Sequence, residues 1–277
     1  TNQIGRYPLH YHHIYGTCSP KSYQFQAVGN SIEEGARWGL TVHDAHFGLV
    51  KDNVVYNFKG AGIATEDGSE TSNLLEHNFV IRVENPSMRV GGLEMFFDPL
   101  GRRGNGFWFR GPHNYIRGNV VAETMEGFGF YSGSAEGGPT SWNIFVNRPK
   151  YACADTTIIG QYDAVQLLNV PSLEIANNES YSASEMGMGL WFFNLARTGS
   201  PPIIDTKIWH VAKNPVAIKY VNGIFDKLTI RNEGGVGLAF SDGNNDDGPT
   251  ALEFRNADIQ GVDLIYTRTG QLALRHE

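Results

Sequence analysis

Two short stretches, Gly39-Leu-Thr-Val-His43-Asp44 and Gly62-Ile-Ala-Thr-Glu66-Asp67, are one pattern written twice, 23 residues apart. Each opens on glycine, alternates apolar with small or polar side chains, and closes on an ionisable group followed by Asp. Asn30 and Asn53 precede the two copies at the same offset, and Asn78 follows 25 residues later. The pattern resumes at Gly106-Phe-Trp-Phe-Arg110, Gly127-Phe-Gly-Phe-Tyr131, Gly189-Leu-Trp-Phe-Phe193, Val216-Ala-Ile-Lys219 and Gly237-Leu-Ala-Phe-Ser241. Short alternating strands repeating every 21 to 26 residues predict a parallel β-helix, in which each coil adds a strand ~4.8 Å along the axis. The recurrent Asn then reads as a ladder of side-chain amides, a structural device rather than a chemical one. A leucine-rich repeat fits the period but not the composition, and a propeller needs four strands per ~40 residues. No linker interrupts the pattern, so one all-β domain is expected over residues 1–277.

Composition agrees and excludes much else. The 277 residues include 33 Gly and 33 aromatics, and an apolar share of 41% is enough for a large core. Only 18% of residues are charged, too few for a coiled coil. The net charge of −7, from 22 basic and 29 acidic residues, comes with no basic stripe, which argues against nucleic acid. No apolar run approaches the ~18 residues of a transmembrane helix. Thr1 to Ile4 carry neither Met nor a signal-peptide pattern, as expected of a processed chain or a fragment. A fragment would expose a sheet edge at its N-terminal end and call for a covering domain or another chain there. Cys18 and Cys153 allow one disulfide or two thiols, and are too few and too far apart for a zinc knuckle. Residues 84–105, 132–141 and 242–249 read as loops inserted between coils, where binding contacts often lie.

Strand alternation sorts the repeat into two faces. Leu9, Tyr11, Leu40, Val42, Ile63, Thr65, Phe107, Phe109, Phe128, Phe130, Leu190 and Phe192 point inward. The outward set forms two columns. One stacks His12, His43 and Glu66, with Arg110 and Tyr131 beyond; the other stacks His10, Thr41 and Ala64, then Trp108 and Trp191. The small residues at 41 and 64 leave a hollow beside His10. Two imidazoles and a carboxylate on neighbouring strands suit a divalent metal or acid/base chemistry, with His12, His43 and Glu66 as ligands. Asp44 and Asp67, one residue on, can turn towards them where the strand ends. Exposed Trp and Tyr along a groove suit the stacking of sugar rings. Arg6, Arg110 and Lys219 supply local cations for an anionic ligand.

The other histidines read as surface or turn residues, with His13 as open to a functional role as to a structural one. His46, His113, His210 and His276 are expected at the surface, His77 in a hydrogen-bonded turn, and His13 on the inward side or at a turn. Asn178-Glu-Ser180 matches a glycosylation sequon, but its Asn belongs to the ladder, so the match is formal.

Arg6-Tyr-Pro-Leu-His10-Tyr-His12, Thr41-Val-His43 and Glu66-Asp67-Gly68, with Glu70, Asn73 and His77 after them, resemble the β-helix region of the cell migration-inducing and cell-surface hyaluronidases and the fibrocystin-like proteins. Gly106-Phe-Trp-Phe109 resembles a later segment of the same family, and the match covers roughly residues 5 to 130. The resemblance implies a right-handed parallel β-helix, an extracellular or cell-surface setting, action on hyaluronan or a related polysaccharide, and calcium dependence. Carried over by position, it implies a site of His10, His12, His43, Glu66 and Asp67. Asp44 stands where the family usually has Gly, and His13 extends the first motif to three histidines.

These readings converge on an enzyme degrading a hyaluronan-like or uronate-containing glycan in a groove, either as a glycoside hydrolase or as a polysaccharide lyase. In the first case Glu66 or Asp67 is the acid; in the second His10, His43 or Tyr131 is the base, with a metal acidifying the sugar proton. Trp108, Tyr131 and Trp191 are the expected aromatic platforms. An imidazole-rich ligand set favours a transition metal over calcium, leaving calcium to a loop such as Asp242–Asp247. The alternatives are a non-catalytic glycan-binding or adhesion module, and a solenoid whose histidines merely stack.

Overall fold

The computed structural model describes residues 7–14, 22–85, 89–90, 93–94, 101, 103–132, 145–147, 164–166, 170–191, 199–219, 223–233, 237–241, 251–262, 264–267 and 271–275. Cys18, Cys153 and most of the three expected loops lie outside these residues. Every regular element described is a strand. Three long parallel sheets run side by side, and the chain visits them in turn. Leu40–His43 lies in the first sheet, Gly48–Lys51 in the second and Val54–Lys59 in the third; Ala61–Thr65 then returns to the first. The result is the expected right-handed parallel β-helix. The first sheet stacks Leu9–His12, Leu40–His43, Ala61–Thr65, Asn105–Phe109, Glu126–Tyr131, Met186–Trp191, Asn214–Lys219, Gly237–Ser241 and Leu264–Thr267 in that order.

Alternation explains the core. Leu40, Val42, Ile63, Phe107, Phe109, Phe128, Phe130 and Leu190 are fully buried, as their inward positions require. In-register pairing places like side chains over one another. The Phe107 and Phe128 rings stack at 4.9 Å and those of Phe109 and Phe130 at 5.0 Å. Such pairs add about 0.5–1.5 kcal/mol beyond the area they bury.

The corners repeat as faithfully as the strands. Between the second and third sheets each described coil turns on one left-handed residue: Gly29, Asp52, His77, Gly118, Asn177, Asp205, Lys227 and Asn256 all have φ between 48° and 69°. Asp, Asn, His and Gly tolerate that conformation best. The residue that follows Gly29, Asp52, His77, Gly118 and Asn177 is the ladder Asn, whereas Thr206, Leu228 and Ala257 stand there on the last three coils. Asn53 accepts from the backbone and side chain of Asn30, Asn78 does the same for Asn53, Asn119 for Asn78, and Asn178 for Asn119, at 2.7–3.2 Å. Each amide also donates back to a carbonyl, as Asn78 Nδ2 does to Val50 at 2.9 Å. Asn178 is 1% exposed and spends its amide on the Ile116 carbonyl, so the sequon is not a glycan acceptor in the folded chain.

Glycines at the entry to the first sheet are required by close approach and not by a tight turn. Gly39, Gly62, Gly106 and Gly127 are not left-handed. They sit where successive coils come closest: a Cβ on Gly62 would stand 2.8 Å from the Gly106 carbonyl oxygen, and one on Gly106 2.9 Å from that of Gly127.

The ladder can be tested by Asn78→Ala, which strips the acceptor from two buried donors of Asn53. A buried donor without a partner costs about 1–3 kcal/mol, so urea denaturation should show a loss of at least about 2 kcal/mol. A loss within about 0.5 kcal/mol, the range of a neutral surface change, would contradict it. Gly106→Ala, which forces two coils apart, is expected to cost about 1–3 kcal/mol in the same measurement.

Candidate functional site

The site lies where the first sheet ends on the early coils. His12 pairs directly with His43, and His10 with Thr41. Thr41 and Val42 pair with Ala64 and Thr65, which sets Glu66 beside His43. Phe109 pairs with Thr65 and with Phe130, so Arg110 follows beside Glu66 and Tyr131 beside Arg110. The expected column of His12, His43, Glu66, Arg110 and Tyr131 is therefore one continuous row.

Its centre is an imidazole held between two carboxylates. His43 Nδ1 lies 3.2 Å from Glu66 Oε2, and His43 Nε2 lies 3.2 Å from Asp67 Oδ2. Desolvation pulls the His43 pKa down, but the hydrogen bonds to Asp67 and Glu66 outweigh it and carry the pKa to about 10. At neutral pH His43 is an imidazolium donating from both nitrogens. His10 stacks on it at 5.6 Å, with its Nε2 4.0 Å from Glu66 Oε2. Tyr7 donates its hydroxyl to Glu66 Oε1 at 3.5 Å. His12 meets His43 edge-on at 4.5 Å, and its pKa is lowered by desolvation and by His13 and His43.

Glu70, which alternation does not single out, holds this end of the sheet in shape. It is fully buried and accepts the N–H groups of Asp44, Asp67 and Gly68 at 2.7–3.1 Å, so one carboxyl clamps the strand ends of two successive coils. Burial pushes its pKa up to about 7. Asp44 is also buried: it accepts from the Ser69 hydroxyl and lies 3.4 Å from His13 Nε2. His13 has φ 56°, which makes it the turn residue expected as one of two possibilities.

Arg110 is half-buried, and burial lowers its pKa while Asp67, Glu70, Tyr131 and Glu66 draw it back up. Its Nε is buried and finds no hydrogen-bond partner among the described residues. Burial raises the Tyr131 phenol pKa, with Arg110 opposing, so Tyr131 keeps its proton and is poorly suited to the base role expected of it.

Four expectations change. Trp108 is 3% exposed and so is no open platform: Trp38 packs over it at 5.7 Å, Tyr7 stacks on Trp38 at 5.1 Å, and Trp38 Nε1 donates to the Gly101 carbonyl at 2.7 Å. These rings fill the hollow expected above Thr41 and Ala64, both fully buried. Trp191 pairs with Tyr131 and Lys219, and Gly189 takes the position beyond Trp108; Trp191 therefore belongs to the His43 column. His46 is buried, not surface: its Nδ1 accepts the Thr71 N–H at 3.2 Å. Arg6, His276 and the side chain of Lys219 lie outside the described residues.

Three sets of side chains bring ligand atoms within 4.8 Å of one another: His12–His13–His43, His10–His43–Glu66 and His43–Asp44–Asp67. The expected trio His12–His43–Glu66 is not among them, because His43 lies between the other two. Each set contains imidazole nitrogen, a poor match for calcium, which prefers oxygen ligands.

Because the folded pKa of His43 exceeds its unfolded value, the stability it contributes is complete below about pH 6.5 and is lost as pH rises through about 10. Urea stability should fall across that window, and His43→Gln should flatten the fall. An unchanged slope in His43→Gln would show that the carboxylates do not hold the imidazolium.

No solved structure matches the chain. The family model described as CEMIP beta-helix matches residues 1–188. Fibrocystin-L of Homo sapiens is 30% identical over 191 residues, covering 69% of this chain and 4% of that protein. Fibrocystin-L of Mus musculus is 31% identical over 232 residues, covering 80% of this chain and 5% of that protein. The chain thus spans a small part of the length of these relatives. With the His-rich first strand, the Glu-Asp-Gly corner and the stacked coils all in place, the chain belongs to the CEMIP beta-helix family.

Proposed function

We propose that the His43 face binds and cleaves an acidic polysaccharide of the hyaluronan type in a cell-surface or extracellular setting. One observation carries the proposal: an imidazolium clamped by Glu66 and Asp67 lies in one row with the half-buried, cationic Arg110, which follows Phe109 on the strand that pairs with Thr65. Such a row offers a cation for a uronate carboxylate and two carboxylates for proton transfer. The setting and the sugar rest on the family and on the hyaluronidases that the motifs resemble. No helix among the described residues is long and apolar enough to cross a membrane.

The geometry supports the following roles. Arg110 anchors the sugar carboxylate, as a planar guanidinium does best. Glu66 or Asp67 takes the proton, and His43 holds both carboxylates in place. Tyr131, protonated, donates to the leaving oxygen. Trp191, next in the same row and partly exposed, is the stacking surface that remains. Hydrolysis and elimination both use this set and differ in product. Elimination leaves an unsaturated uronate that absorbs in the ultraviolet.

The assay is depolymerisation of hyaluronan, chondroitin and pectin, with and without added divalent metal. Glu66→Gln should lower kcat by about 10²–10⁴, the usual worth of a positioned acid or base. Arg110→Ala should act mainly on KM. Undiminished cleavage by Glu66→Gln would refute the site. Arg110-dependent binding without cleavage would instead make the face a non-catalytic glycan-binding module.

A further inference from the structure

We infer that His12, His13 and His43 form a three-nitrogen site for a divalent transition metal of the zinc type, which shares His43 with the carboxylate chemistry proposed for Glu66 and Asp67. The calcium implied by the family does not fit these donors. Three imidazoles with no carboxylate oxygen select a borderline ion over a hard one.

Successive residues on a strand point to opposite faces, so His12 and His13 should not be neighbours. The left-handed turn at His13 brings them together: their rings stack at 3.8 Å and 18°. The His43 ring lies 4.5 Å from His12 and 5.3 Å from His13, and one nitrogen of each fits within the 4.8 Å that a shared ion requires. The partners behind the rings are those of a metal site. Asp44 lies 3.4 Å from His13 Nε2 and is itself buried against the Ser69 hydroxyl, a carboxylate placed to orient the His13 ring. Glu66 and Asp67 hold the two nitrogens of His43, so a metal replaces one carboxylate and the other stays to orient the ring. His12 and His13 are exposed, which leaves an entry path and room for a water or ligand in a fourth position. In the competing set His10–His43–Glu66, the Glu66 Oε2 atom is shut off from solvent.

The test is metal binding itself and needs no cleavage. The purified chain is stripped with chelator and titrated calorimetrically with Zn²⁺ and, separately, with Ca²⁺. Co²⁺ is added as a spectroscopic probe whose visible bands report tetrahedral nitrogen ligation. One equivalent of Zn²⁺ should bind, Co²⁺ should show those bands, and Ca²⁺ should not compete. His13→Gln and His12→Gln should each weaken Zn²⁺ by at least about 10-fold with an unchanged melting curve, whereas His10→Gln should leave it within about 3-fold. Zn²⁺ affinity untouched by His13→Gln, or lost in His10→Gln, would move the metal to the Glu66 set and overturn the inference. So would binding of Ca²⁺ alone.

Discussion

Everything in this molecule depends on parallel strands pairing in register from coil to coil. Because the coils stack ~4.8 Å apart without slippage, a residue type repeated in sequence becomes a row in space. The row inside is apolar and aromatic, and the row at one corner is Asn. The row on the first sheet is His12, His43, Glu66, Arg110, Tyr131 and Trp191. A one-residue slip would turn every one of these side chains to the other face. The glycines at the strand entries and the amide ladder at the opposite corner resist that slip, one by permitting close approach and the other by bonding each coil to the next. Positioning of the site is thus a by-product of how the solenoid holds together.

The electrostatics of the site follow from the same stacking. Coils bring His43 between carboxylates of the following coil, and partial burial strengthens the attraction enough to outweigh the desolvation of a charged ring. Glu70 contributes from below by fixing the strand ends on which Asp44 and Asp67 ride. A buried carboxyl with three backbone donors is a rigid part, and rigid support is what a catalytic row needs.

Much of this was legible in the residues. The fold, the inward column and the neighbours of His43 needed only the period and strand parity. Trp191 was misplaced by two residues because Gly187-Met-Gly189 offers two glycines as strand markers; a shift of two keeps a side chain on its face, so only its row changed. Trp108 and the hollow were misread for another reason. Trp38 and Gly101, which cover that area, lie outside the repeated strands, and periodicity is silent about them. Glu70 carries no periodic signal either: its role arises at a corner where two turns converge. His13 was undecided in the sequence, and the left-handed backbone explains why, since alternation stops applying there.

The central claim is that coil stacking locks His43 as an imidazolium between Glu66 and Asp67. The direct measurement is the nitrogen chemical shifts of the His43 ring across a pH titration of metal-free protein. The account predicts that both nitrogens stay protonated through neutrality and titrate near pH 10. A transition near 6.5, the value of an unpaired imidazole, would contradict it.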